Sequence, residues 1–486
     1  MQPRSTSSAL DYRFWLAAGA VALLGGALAS IAFAQLLALG AVCALVWVVA
    51  TRPRASVIAL ALASPFYDLA VIQVSGIADI RVLEVLWLVA ALSLGWRLHT
   101  GTETRFNPPP RWFRTALIVF ASWFVIAAIA SGGGARPFIE ALQTIYLCLI
   151  AYLVAGVVAA TDPPELGHWL RPWAIVLGLV MIVSLAGYLL GFQPVSQVVV
   201  RVPGFSIEYL TDSPLLQGAG SDHVQIARLG ILNLGPVGSA AIIVSILTIA
   251  LSVALTRTTR ANVRSTWLLL GSGAVVLLLT YSRAGWLLAI AAAALVMLAA
   301  RHRTAAISLS LFVLALALAA GLPSVASRLE EFADVGEGSY QAHARMWVTA
   351  VHMVGERPVF GWGPGTFAEK ADSMAINTWM ATDISADQPH NWLLEIAAET
   401  GIIGSVIAVL FVGTLLVVSW RRIRGAPLPV FGLWVATGTY VTMNLTINAF
   451  RTEMMWVWFG ALMGISSWYI AKASSARPGE VPVCES

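Results

Sequence analysis

Apolar runs long enough to cross a bilayer recur along most of this chain, and they are apolar on every side instead of alternating with polar positions. A span needs roughly 20 such residues to cross about 30 Å of hydrocarbon. A barrel strand would alternate over about ten residues, so these runs must satisfy their backbone hydrogen bonds internally, as helices. About fourteen spans are expected, within a range of 12–14, the first seven near 14–32, 34–50, 55–74, 82–97, 115–131, 138–160 and 172–192. The others fall near 229–255, 265–281, 285–300, 305–322, 392–419, 428–449 and 454–471. The fold class expected is therefore an all-α membrane protein, a polytopic helical bundle whose first partner is the lipid bilayer.

Composition agrees, with 58% hydrophobic and only 11% charged residues, which excludes a water-soluble fold. The basic residues fall in alternate connections: Arg52 and Arg54; Arg97, Arg105, Arg111 and Arg114; Arg257, Arg260 and Arg264; Arg301 and Arg303; Arg421, Arg422 and Arg424. Loops rich in arginine stay on the cytoplasmic side, so both termini are expected inside and the connections 193–228 and 323–391 outside. The net charge of +4 then reflects topology, and no nucleic-acid partner is implied. The first run, preceded by Arg4 and Arg13, reads as a retained helix because another span follows at once. Cys43 and Cys148 fall within spans and Cys484 in the inside tail, so no disulfide is expected. No Cys and His spacing suits zinc, and neither a metal nor another cofactor is expected. Residues 473–486 read as a disordered tail.

The long outward loop is where polar side chains can gather. Within it, Gln341 to Glu356 sets Met346, Trp347, Ala350, Val351 and Val354 at helical spacing, with His343, Arg345, Thr349, His352 and Glu356 largely on the other side. That pattern predicts an amphipathic helix at the membrane surface, stopped by Pro358. The glycines at Gly361, Gly363 and Gly365 then allow a tight turn, either a plain turn or one whose amides approach an anion. Next, Pro389-His390-Asn391 stands just ahead of a span, with Asn391 placed to cap the helix and Glu395 and Glu399 one turn apart inside it. His390 is thereby set at the membrane boundary; the two glutamates either orient it or complement the helix dipole.

Arg283, in Tyr281-Ser282-Arg283, occupies an outward hinge between two apolar runs with little room for a loop. A guanidinium there is costly unless it meets an anion or a carboxylate. Arg228, just before the span beginning at Leu229, reads the same way. With Arg345 and His390 these make four outward basic groups near one membrane face, a set suited to a phosphorylated lipid because guanidinium forks bind phosphate oxygens in pairs.

In order, Arg228 with its span, Ser282-Arg283, Arg345 with Trp347, Gly361-Trp362-Gly363-Pro364-Gly365-Thr366-Phe367, and His390-Asn391 through Glu399, Gly401 and Gly404 resemble the O-antigen ligase and polymerase family of membrane glycosyltransferases. The resemblance divides the chain into variable helices at 1–224, a core at 225–420 containing the loop 323–391, and C-terminal helices at 421–472. It implies transfer of a glycan from an undecaprenyl diphosphate donor to a hydroxyl on a glycan or lipid-glycan acceptor, in a bacterial inner membrane with the site on the periplasmic face. His390 would be the general base, Arg283, Arg345 and Arg228 would hold the diphosphate, and Glu395, Glu399, Gly363 and Asn391 would support them, with inversion at the anomeric centre. A transporter or flippase of lipid-linked sugars is the alternative from another class; Asp68 and Glu84 are the intramembrane carboxylates that would serve it.

Overall fold

A computed structural model describes residues 43–486 except 67–69, 75–77, 104, 191–196, 203–205, 211–215, 220–225, 230–234, 257–259, 301–338, 375–387, 448–449 and 476–486. The expected spans at 14–32 and 305–322 therefore lie outside the described residues, as do most of 34–50, the tail and Asp68. Seven described helices are long and apolar enough to cross a membrane, and four shorter apolar helical stretches accompany them. The chain is a mostly helical, multi-pass membrane protein.

Two compact units are present. The first contains most of α1 (Pro53–Ala63), β1 (Ala70–Val74), β2 (Ala78–Arg81), α2 (Val82–His99), β3 (Gln197–Val202) and β4 (Ser206–Leu210). Its four strands form one sheet in the order β2-β1-β3-β4, with β1 antiparallel to β2 and parallel to β3. Here the expected span at 55–74 is corrected. The helix stops at Ala63, and the short β-branched run Ala70-Val71-Ile72 pairs as a strand, because an apolar run of five residues is long enough for a strand and too short for a further helix. Glu84 accepts from the Arg81 amide (3.2 Å) and pairs with its guanidinium (3.1 Å), closing the N-terminus of α2 as a capping box.

The second unit holds α3 (Arg111–Ser131), α4 (Ala135–Ala159), α5 (Pro163–Leu190), the hairpin β5 (Leu216–Ala219) and β6 (Ile226–Leu229), α6 (Pro236–Ala254), α7 (Arg260–Leu279) and α8 (Arg283–Ala300). It continues with α9 (Ser339–Glu356), α10 (Phe367–Met374), α11 (Trp392–Ile423), α12 (Leu428–Met443) and α13 (Glu453–Ser475). The span expected from Leu229 begins instead at Pro236, because Leu229 is the last residue of β6.

Small residues let these helices close on one another. Gly460 and Gly464 of α13 face the Ala151 and Ala155 carbonyls of α4 with no room for a Cβ. Gly285 of α8 and Gly432 of α12 likewise face Ala240 and Ser252 of α6, making α6 the buried centre of its bundle. Such approaches replace the hydrophobic drive that lipid cannot supply between helices. Phe120 of α3, Phe411 of α11, Phe450 and Trp456 form an aromatic core, with the Phe120 and Trp456 rings 5.5 Å apart. That core fixes α11, the helix that positions the site.

Candidate functional site

The site is organised around a break in α11. Gly401 adopts φ 77° and ψ 173° inside an otherwise continuous helix, which interrupts its hydrogen-bond ladder and leaves carbonyls to be satisfied elsewhere. The glycine turn after α9 supplies the partners. Trp362 N donates to Ala398 O (3.0 Å), Gly363 N donates to Glu399 O (2.8 Å), and Ile402 N donates back to Pro358 O (2.8 Å). Trp123 of α3 donates its indole N–H to Thr400 O (2.9 Å) and stacks on Phe360. The turn amides of Gly361, Trp362 and Gly363 all donate to backbone oxygens, so the turn stitches the fold together rather than cradling an anion. Gly361 and Gly363 have positive φ, and a Cβ on Gly363 would sit 2.7 Å from Ser131 Oγ, so glycine is demanded on both counts. Beside this turn an open cleft of about 380 Å³ is lined by Ser131, Arg357 and Val359–Gly361, with Arg357 lying 4.0 Å over the Trp362 ring.

The break separates an arm, 392–400, from a second segment at 402–423 that carries Arg421 and Arg422 in its last turn. At about 1.5 Å per residue the second segment alone covers the hydrocarbon.

Asn391 heads the arm. Its Oδ1 accepts from Leu393 N (3.0 Å) and Leu394 N (3.2 Å), the capping role expected of it. Trp392 stacks on Phe450 at 4.8 Å and donates its amide to Asn444 O (3.2 Å). His390, immediately before the cap, is exposed and has φ 48°, a left-handed conformation uncommon for a side chain of this size. It is held there from both sides, by the Asn391 cap and by Trp347 of α9, whose indole donates to Pro389 O (3.0 Å).

α9 runs along the arm with Met346, Ala350 and Met353 buried against Ala398 and Phe367; Val351, expected on the apolar side, is exposed, and Thr349, expected on the polar side, is buried. One turn before Trp347, His343 meets His390, their ring centroids 4.8 Å apart at an interplanar angle of 77°. His343 Nδ1 is buried and has no hydrogen-bond partner among the described residues. Burial, and then the charge of His390, holds the His343 imidazole below its usual range.

Glu395 and Glu399 are buried, and both reach Arg451. Arg451 also pairs with Glu140 of α4 at 3.1 Å, while Glu399 accepts the Phe367 amide at 3.1 Å and so closes the N-terminus of α10. Neither Arg451 nor Glu140 is marked by a motif; only a guanidinium between two apolar helices distinguished Arg451 in the sequence. His343 was visible on the polar side of α9, but its partner could not be.

The remaining candidates stand as follows. Arg345 follows His343 by two residues on α9, and Arg228 lies on β6 opposite Gln217; their side chains are outside what is described. Arg283 opens α8, whose N-terminus is capped by Ser282 Oγ accepting Gly285 N (3.2 Å), behind Tyr281 at φ 49°. The structure thus brings together His390, His343, Asn391, Gly363, Glu395 and Glu399 around the arm. Arg283 sits on a helix that packs on α6 and α12.

No curated protein matches this chain. Residues 265–409 match the family model described as O-antigen ligase, a stretch that runs from α7 through the break in α11. It contains Arg283, Arg345, Gly363, His390, Asn391, Glu395 and Glu399, and leaves Arg228, Glu140 and Arg451 outside. This segment, which carries the candidate chemistry, is thus similar to the O-antigen ligase family.

Proposed function

We propose that this protein is a membrane glycosyltransferase that moves a glycan from an undecaprenyl diphosphate carrier to an acceptor hydroxyl on the extracytoplasmic side of a bacterial inner membrane. The observation that carries the reading is His390. A strained, exposed imidazole is clamped between Trp347 and the Asn391 cap, within the family-matched segment. Strain kept at one position by its surroundings is a mark of a working residue.

In this reading His390 removes the proton of the acceptor hydroxyl as that oxygen attacks the anomeric carbon. The bond to the diphosphate breaks on the opposite face, so the centre inverts. Arg345, two residues from His343, and Arg283, with Arg228, neutralise the negative charge that grows on the leaving diphosphate. Gly363, Glu395 and Glu399 support the site by holding the arm in place. With amide N–H groups on the Ala398 and Glu399 carbonyls and the Trp123 indole N–H on the Thr400 carbonyl, little of the frame around the break needs to reorganise during the reaction.

Purified protein in detergent, given a lipid-linked oligosaccharide and a glycan acceptor, should form a new glycosidic bond, and His390→Ala should abolish it with the protein still folded. Detergent removes the two sides that a flippase needs, so product there is evidence of transfer. A fully active His390→Ala protein would overturn the reading.

A further inference from the structure

The carboxylates that would orient a catalytic imidazole are committed elsewhere: Glu395 and Glu399 bind Arg451, and Glu399 also accepts the Phe367 amide. A general base is normally fixed by a second group that accepts its other ring N–H, which selects the tautomer and stabilises the cation formed when the base takes up a proton. Among the described residues, His343 is in ring contact with His390, set edge-on with ring centroids 4.8 Å apart. Trp347, one turn further along α9, donates to Pro389 O and locks the two segments in register. His343 carries a buried Nδ1 with no hydrogen-bond partner among the described residues, an arrangement that costs free energy unless the atom is used.

We propose that His343 is the positioning residue of His390: its uncharged imidazole offers Nδ1 as acceptor to the His390 ring N–H and stabilises the imidazolium formed as the acceptor hydroxyl gives up its proton. This rests on the assignment of His390 as base. The proton passes from the hydroxyl to His390 and is not handed on; His343 accepts a hydrogen bond only. A small rotation of either ring about its Cβ–Cγ bond converts the edge-on contact into that bond, and such bonds commonly tighten only when substrate is present.

Its surroundings allow His343 to stay neutral. On α9 itself His352 pairs with Glu356 at 3.7 Å, on α10 Glu369 pairs with Lys370 at 2.8 Å, and on α11 both glutamates face Arg451. Arg345 is the remaining charge on α9, and Arg357 lies over Trp362. Burial and then the charge of His390 both disfavour a proton on His343, so the lone pair remains available when His390 is cationic.

The test compares His343→Phe, which keeps a flat ring without an acceptor, with His343→Asn, whose amide oxygen can replace Nδ1. Transfer would be followed with a lipid-linked oligosaccharide and a glycan acceptor over a pH series, with thermal unfolding measured on each variant. His343→Phe should lower kcat about 10- to 100-fold at unchanged donor KM. It should also move the acid limb to lower pH, because a hydrogen bond to the cation raises the basicity of His390 and its loss lowers it. His343→Asn should recover much of the rate and bring the limb back. An unmoved acid limb with near-normal kcat in His343→Phe, or an Asn variant no better than Phe at equal thermal stability, overturns the proposal. If His343→Phe does not fold, the Asn variant against wild type decides: a limb at the wild-type position upholds the proposal, and inactivity in a folded Asn variant overturns it. Failure of the base assignment itself would show separately, as activity in His390→Ala.

Discussion

Arg451 closes on Glu399, so a residue of the last interhelical turn holds the helix that presents His390. The same guanidinium reaches Glu395 and, on α4, Glu140, so one cation serves three carboxylates on two helices. Phe450, its neighbour, stacks on Trp392, the first residue of α11, and accepts the Trp456 indole N–H through its carbonyl. Charge and aromatic packing thus secure one arm at both ends.

Loss of the Arg451 side chain should therefore cost more than loss of any single glutamate. Arg451→Ala leaves buried carboxylates uncompensated, and breaking such a pair by removing one partner typically costs about 3–5 kcal/mol. Arg451→Lys keeps the charge without the planar fork and should fall between the two. Thermal unfolding in detergent measures both. A melting temperature for Arg451→Ala within a degree of wild type would show that the cluster does not hold the arm.

Gly401 should tolerate no side chain. At φ 77° a left-handed backbone costs a non-glycine residue about 1–3 kcal/mol, and a Cβ here would run into the Val359 carbonyl. Gly401→Ala should lower both stability and transfer, since it displaces the Pro358–Gly363 turn from the arm. Gly413→Ala, on the same helix with open space around it, is the control and should be neutral in both assays.

The helical bundle was legible because spanning length and all-round apolarity leave the backbone few choices. α9, the Asn391 cap and the end of α9 before Pro358 were legible for the same reason, each being a local rule of period or capping. The strand Ala70–Val74 was not, since a short apolar run continuing a helical one has no period to separate it. Within the site, His390 was marked by its place before a cap, but its strained φ and its contact with His343 depend on α9 folding back over the arm. Whether the Gly361–Gly365 turn was a plain turn or an anion site stayed open in the sequence, because glycines signal close approach without saying to what; the object approached is the α11 backbone. Arg451 was missed because its three partners are far away in the sequence.

The orientation read from the arginine-rich connections has its own test. With Cys43, Cys148 and Cys484 replaced, a single cysteine at Ser373, exposed on α10, should react with a membrane-impermeant thiol reagent in spheroplasts. One at Thr100, exposed beside Arg97, should react only after the membrane is opened. The reverse pattern would put the arm, and the donor with it, on the cytoplasmic side.

The pH and ion dependence of transfer should follow from a base and a set of guanidinium groups. As pH falls, His390 takes up a proton and can no longer accept one from the hydroxyl, so activity should be lost on the acid side, through the range where imidazoles titrate, about 6 to 7. Burial and then the His390 charge both disfavour a proton on His343, and because His343 accepts a hydrogen bond without taking up the transferred proton, the limb should fall with a slope of one. A slope of two would mean that both rings must be neutral and titrate together. Arg283, Arg345 and Arg228 supply the positive charge toward the diphosphate, so transfer should persist in excess EDTA and without ATP. Inhibition by EDTA that magnesium or manganese reverses would give the leaving group to a bound cation instead, and Arg345→Lys would then be nearly harmless. If the guanidinium groups do this work, Arg345→Lys should instead lose most of its activity at every pH, because an ammonium keeps the charge but not the paired hydrogen bonds.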